Sequence, residues 1–227
     1  MSHPTTVKPR LLVAFAPFAI VSFVHILARA LDSDAVSTPT KLLLMPALAF
    51  GVWWASRAHG WARTHTLLTL AIFFSWLGDE AALFFPFAPT LPLMLLFFGA
   101  AHLVYIWLFQ RRAALRPQPG WSALYLLWWG ALLVPLWPHL GSLSIAVAVY
   151  GLVLVGTAAS ATRCHPMTAW GGLLFLTSDS ILAFRIFLPD AMPHWTDPAV
   201  MLTYCAGQGL IAAGVVISSR GTADMKN

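Results

Sequence analysis

Apolar residues run through this chain in blocks of about twenty, the length a membrane-crossing helix needs, and polar residues collect in the short gaps between them. Eight blocks can be marked: Leu11–Leu31, Lys41–Arg57, Leu67–Phe85, Leu91–Phe109, Trp121–Trp137, Ser142–Ala161, Met167–Leu188 and Pro198–Ser218. Tryptophans crowd several of their ends (Trp53, Trp54, Trp61, Trp121, Trp137, Trp170 and Trp195), as amphipathic rings do at a membrane–water interface. No polar stretch is long enough for a soluble domain. The pattern predicts an all-α membrane protein: one domain over residues 1–227, a bundle of eight transmembrane helices with short polar tails at 1–10 and 219–227.

Composition agrees. Of the 227 residues 59% are hydrophobic and only 9% charged, against about 25% charged in soluble domains. Eight spans place the N-terminus, the second, fourth and sixth connections and the C-terminus on one side. That side holds ten of the 13 Lys and Arg, and only Arg29, Lys41 and Arg185 fall on the other. The positive-inside bias then puts both termini in the cytoplasm, and a bacterial inner membrane is the expected location. Topology accounts for the net charge of +5, so nucleic acid is not an expected partner. Lys8 and Arg10 followed by an apolar run and Ala28-Arg29-Ala30 imitate a cleaved signal, but the run is long for one and is expected to stay as the first span. Cys164 and Cys205 fall at different depths and are not expected to pair.

Two aspartates interrupt the apolar pattern. Asp79 lies in FFSWLGDEAALFF and Asp179 in GGLLFLTSDSILAFRIF. A carboxylate at the centre of a span costs roughly 2.5–3.5 kcal/mol on insertion scales, and acids kept at that cost usually face a polar cavity that uses them. Four spans separate the two, so their helices run in the same direction, from cytoplasm to exterior. At about 1.5 Å per residue, Asp79 is expected roughly 9 Å and Asp179 roughly 13 Å inside the outer end of its span, in the outer half of the bilayer. Tyr105 and Tyr204 recur with a similar offset, which suggests a 4+4 parallel repeat.

Several polar residues can share that site. His102 and Tyr105, three apart, lie on one helix face; so do Tyr204 and Gln208, four apart. Ser178 flanks Asp179. Lys41 and Arg29 fall at the outer rim, where either can meet a phosphate. Gly207, Gly209 and Gly214 let a neighbouring helix come close. His25, Tyr125, Tyr150 and Arg185 read as packing or interfacial residues, and Glu80 has an even chance of facing the cavity. No nucleophile elbow, P-loop or metal-binding motif is present, and the eight histidines are scattered.

The sequences LGD in the third block, HLVY in the fourth, LFLTSDSILA in the seventh and TYCAGQGLI in the eighth together resemble the YhhN-like lysoplasmalogenase family of multi-pass membrane proteins. Thr40-Lys41 resembles that family's Thr-Lys-Pro entry to the second span, with Leu42 in place of the proline. The resemblance implies a hydrolase that cleaves the vinyl ether bond of lysoplasmalogens to a fatty aldehyde and a glycerophospho-ethanolamine or -choline. It carries the two family acids onto Asp79 and Asp179, and further polar positions onto Lys41, His102, Tyr105, Tyr204 and Gln208.

The chemistry suits two carboxyls. Vinyl ether hydrolysis begins with protonation at carbon, and water then adds to the oxocarbenium ion. One acid must deliver the proton, and a second carboxylate must stabilise the cation or activate water, as in glycosidases. No metal or other cofactor is needed. The more buried Asp179 is the expected acid and Asp79 the expected base or cation stabiliser, with the reverse assignment left open. An intramembrane aspartyl protease fits poorly, because its paired Tyr-Asp and Gly-x-Gly-Asp signatures are missing. A proton-coupled transporter using the same buried aspartates is the alternative from another class.

Overall fold

The computed structural model describes residues 9–57 and 60–224, so Lys8, His59 and Lys226, with most of the N-terminal tail, lie outside the described residues. Each predicted apolar block falls on a long helix: α1 Pro9–Ala30, α2 Asp34–Ser56, α3 Arg63–Asp79, then after a single turn α4 (Ala81–Phe84), α5 Thr90–Arg111, α6 Leu124–Leu136, α7 Ser144–Ala161, α8 Pro166–Phe187 and α9 Thr196–Asp224. No strand occurs among the described residues. Seven helical stretches are long and apolar enough to cross a membrane, α6 and α7 counting with the 3-10 turns that flank them (Gly120–His139 and Gly141–Ala161), which makes the chain an integral, multi-pass membrane protein. The remaining long helix, α3, has 17 residues and is about 26 Å long, a little short of a hydrocarbon layer of about 30 Å.

Three boundaries differ from the sequence reading. α9 continues past Ser218 to Asp224, so part of the predicted C-terminal tail is helical. α2 starts at Asp34 rather than Lys41. An acidic residue in the first turn suits the positive end of the helix dipole. Thr40 and Lys41 therefore stand well inside the helix instead of at its mouth. The third difference is the largest. The apolar run continues to Phe85, but α3 stops at Asp79, and Glu80 leaves helical geometry at φ −103°, ψ 20°. Asp79 is thus not a mid-helix residue: it is the last residue of its helix. Gly78 sits beside this break because the Phe98 ring lies against it; a Cβ there would come within 2.6 Å of the ring.

The helices pack as a closed ring, α1–α2–α3–α5–α7–α8–α9 and back to α1, with α6 outside against α7. α9 also reaches α2 and α3 and is the central element. α8 and α9 approach backbone to backbone, where a Cβ on Gly171 would meet the Gly207 carbonyl at 2.7 Å and one on Gly207 would meet the Phe175 amide at 2.9 Å. Small residues allow this contact, and membrane helices gain most of their association energy from such close packing. The ring encloses Leu44, Met45, Leu48, Leu68, Ile72, Tyr105, Phe109, Phe175 and Ile211. Large apolar side chains face outward as well, among them Val134 at 76% and Ile145 at 74% exposure, the inside-and-outside hydrophobicity of a helix bathed in lipid.

Candidate active site

A cavity of about 390 Å³ opens at the end of the bundle that carries the α1–α2, α3–α5 and α8–α9 connections. Asp79 and Asp179 both line it. Its wall is built from α1 (His25, Arg29), α2 (Asp34, Ser37, Lys41), the α3–α4 break (Asp79, Glu80), α5 (Met94, Phe98), α8 (Ser178, Asp179, Leu182, Arg185) and α9 (Asp197, Val200, Tyr204). All three basic residues of the predicted outer side therefore gather here.

The surroundings of Asp79 follow from its position at a helix end. That end carries about half a negative charge from the aligned peptide dipoles, a poor place for a carboxylate. Lys41 offsets it: its ammonium donates to the Asp79 backbone carbonyl at 2.6 Å. The carboxylate itself accepts from the Tyr204 hydroxyl at 2.6 Å. Behind Tyr204 the buried Gln208 amide donates to Ser75 at 3.0 Å and reaches the Tyr204 oxygen at 3.5 Å. The Gln208 carbonyl oxygen accepts from Tyr105 at 2.6 Å. This chain of buried, mutually satisfied groups fixes the rotamer of Tyr204, and through it the Asp79 carboxylate.

Asp179 is different. It lies inside α8, two turns before the helix ends at Phe187. The Tyr150 hydroxyl of α7 makes a short hydrogen bond to its Oδ2. The His102 Nε2 approaches the same oxygen at 3.8 Å and the Tyr150 hydroxyl at 3.4 Å. The aspartate side chain is 10% exposed. It also borders a narrow apolar pocket of about 60 Å³ between α5, α7 and α8, lined by Leu91, Leu95, Val147, Ala183 and Ile186. Met94, Phe98, Asp179 and Leu182 are common to the polar cavity and this apolar extension.

Of the residues singled out from sequence, Asp79, Asp179, Lys41, Arg29, Ser178 and Tyr204 line the cavity. Ser178 faces it with its hydroxyl already committed to the Val200 carbonyl at 3.0 Å. His102, Tyr105 and Gln208 are fully buried behind the wall and reach the cavity only through their partners. Other residues stand elsewhere than the sequence suggests. Tyr150, expected to be a packing residue, is the direct partner of Asp179. Arg185, expected at the interface, lines the cavity and pairs with Asp197 at 2.9 Å. Glu80 also lines it, buried, with one carboxylate oxygen that has no partner. His25 lines it too, with Nδ1 held between the Ser37 carbonyl and the Thr40 hydroxyl at 3.1 and 3.0 Å. One signal was available for Arg185 and Asp197: opposite charges near the ends of consecutive helices at the same membrane face. Nothing in the apolar run around Tyr150 distinguished it from a packing tyrosine.

Comparison with known proteins gives a consistent picture. The sequence matches the model of the YhhN family over residues 36–215. It is 34% identical over 179 residues to a Homo sapiens protein named lysoplasmalogenase TMEM86B, covering 78% of this chain and 74% of the human one. It is 37% identical over 123 residues to the Sus scrofa protein of the same name, covering 52% of this chain and 50% of that one. No solved structure matches. The matched region holds both aspartates, Lys41, Tyr150, Tyr204, Arg185 and Asp197, and leaves out His25 and Arg29.

Proposed function

Because this chain belongs to the YhhN family, we propose that it is a lysoplasmalogenase-like hydrolase whose catalytic pair is Asp79 and Asp179. The relatives named lysoplasmalogenase support the reaction class. The observation that carries the reading is that one cavity holds both carboxylates between a basic rim and an apolar extension. A lysoplasmalogen has the same sequence of chemistries: a charged headgroup, a glycerol, a vinyl ether and an alkyl tail.

Substrate placement follows from that match. The phosphate lies at the rim formed by Arg29, Lys41 and Arg185, and the tail enters the apolar pocket between α5, α7 and α8. The vinyl ether then falls between the two aspartates. Its outer carbon, on the tail side, is the one that takes the proton, and Asp179 borders the tail pocket. Asp179 is therefore the proton donor. Protonation at that carbon moves the double-bond electrons onto it and leaves an oxocarbenium ion. Asp79, on the headgroup side, takes a proton from water as the water oxygen bonds to the cationic carbon. Asp79 then gives its proton to the glycerol oxygen as the hemiacetal C–O bond breaks, and the hemiacetal hydroxyl returns its proton to Asp179; the products are a fatty aldehyde and a glycerophospho-ethanolamine or -choline. One water is consumed and no external proton is lost or gained. Tyr150 and His102 hold Asp179 in place, while Tyr204, locked by Gln208, Tyr105 and Ser75, holds Asp79. Neither role needs a cofactor.

The membrane arrangement belongs to the same proposal. α3 with the following turn α4 counts as the eighth span, both termini are cytoplasmic, and the site lies in the outer half of the bilayer. The whole chain acts as one domain. The packing of α3 along α5 and of α8 along α9 supports a 4+4 repeat in which each aspartate-bearing helix leans on the next span. A transporter reading draws no support from relatives that carry hydrolase names. The test is direct: purified protein in detergent is given a synthetic lysoplasmalogen, and free aldehyde and glycerophospho-alcohol are measured. Equal amounts of the two are expected. Release of neither, with bound lipid unchanged, would overturn the proposal.

A further inference from the structure

The rim contains a carboxylate that the hydrolytic reading does not use. Asp197 lies in the first turn of α9 and is held by two arginines from two other helices. The Arg29 Nε and Nη2 both donate to its Oδ2, at 2.7 and 2.6 Å. The Arg185 Nη2 donates to its Oδ1 at 2.9 Å, and the Arg185 Nη1 to the Thr196 hydroxyl at 2.7 Å. One anion bridged by two guanidiniums at a helix N-terminus is the arrangement in which proteins hold phosphate. All three residues line the cavity that contains the two acids.

We propose that Asp197 is the resident anion of a phosphate site formed by Arg29 and Arg185, and that the phosphate of an entering lysolipid exchanges with it. The lipid as the source of that phosphate rests on the hydrolase reading above; the anion chemistry does not. Asp34, exposed, also lies 3.9 Å from the Arg29 Nη1, but Asp197 is the anion that touches both arginines; it offsets one of their two positive charges and repels a phosphate brought within a few ångströms. It therefore weakens headgroup binding, and the arginines stay ordered while it does so. Asp197 thus acts as a specificity-determining residue, setting how strongly the rim grips any anionic headgroup. Asn at this position keeps the size and one acceptor oxygen and removes the charge.

The experiment uses the full chain in detergent, with binding read by tryptophan fluorescence. Three probes are compared: a saturated alkyl-ether lysophosphoethanolamine, the matching alkylglycerol without phosphate, and inorganic phosphate. None has a vinyl ether, so binding is scored whether or not the protein proves to be a hydrolase. Asp197→Asn is expected to bind the phosphate-bearing lipid about tenfold more tightly and the alkylglycerol unchanged. The gain should vanish when Arg185→Gln is added. A gain for inorganic phosphate alone also supports the exchange and assigns the site to a free anion instead of a lipid. Binding of the phospholipid that is unchanged or weaker in Asp197→Asn, with phosphate also unimproved, overturns the proposal and leaves Asp197 as a tether between helices. Asp197→Glu, which keeps the charge, should bind the phosphate-bearing lipid no more tightly than the unaltered protein; a gain there equal to that of Asp197→Asn would equally overturn it.

Discussion

The two aspartates are chemically identical, yet the chain supports them in opposite ways. Asp79 ends a helix, beside a backbone break, with Lys41 on its own carbonyl and Tyr204 on its carboxylate. Asp179 sits inside an unbroken helix, with no Lys or Arg paired to it among the described residues, held by Tyr150 and flanked by His102. One faces the charged rim and the other the apolar extension. In a two-carboxylate site the chemistry depends on such asymmetry, because residues in different surroundings can take different parts in one reaction. Here it is produced by backbone geometry as much as by neighbouring side chains.

The sharpest way to break this comparison is to remove each acid in turn. Asp179→Asn and Asp79→Asn should each lower kcat by at least about 100-fold, the usual worth of a positioned general acid or base. Aldehyde release measured on folded, monodisperse protein checks both. Near-normal turnover in either variant would mean that only one acid matters. Removing the supporting tyrosines sharpens the contrast: Tyr150→Phe and Tyr204→Phe should each cost about tenfold in kcat with KM little changed, since each deletes one hydrogen bond to a carboxylate, worth about 1.5 kcal/mol. A change confined to KM would reassign that tyrosine to substrate binding. Lys41→Ala should mainly raise KM, by several-fold, and an unchanged KM would remove its role at the phosphate. The smallest expected effect on turnover is at the break itself. Gly78→Ala brings a methyl group against the Phe98 ring and should destabilise the protein by about 1–3 kcal/mol as an overpacked site. A lowered Tm in a thermal unfolding scan checks it.

Much of this architecture is legible in the sequence because a bilayer leaves few options. Helices must satisfy their own backbone groups, so apolar blocks of fixed length translate directly into Pro9–Ala30, Pro166–Phe187 and the rest. The two acids stand out for the same reason: in an apolar alphabet a carboxylate is conspicuous. The break after Asp79 was hidden, because Phe84 and Phe85 extend the apolar run across it, and hydropathy does not register a change in φ and ψ. Pro86 and Gly78 were the local hints. The start of α2 was hidden in the opposite way, since Asp34, Ser37 and Thr38 look like a loop by polarity and yet form the helical wall of a polar cavity. Tyr150 could be placed only by knowing that α7 packs between α5 and α8, and the opposite charges of Arg185 and Asp197 hinted at their pairing but not that the α8 and α9 ends meet at the rim of the cavity. Those are facts of helix adjacency, which no single helix carries.

The central claim is that Asp79 and Asp179 act as one catalytic unit in one cavity. The most direct measurement is kcat/KM for vinyl ether cleavage by the two single Asp→Asn variants and by the double variant. Groups that work in the same step give losses that do not multiply. The double variant is expected to fall no further than the worse single variant. A double loss equal to the product of the two single losses, or a single variant with full activity, would contradict it.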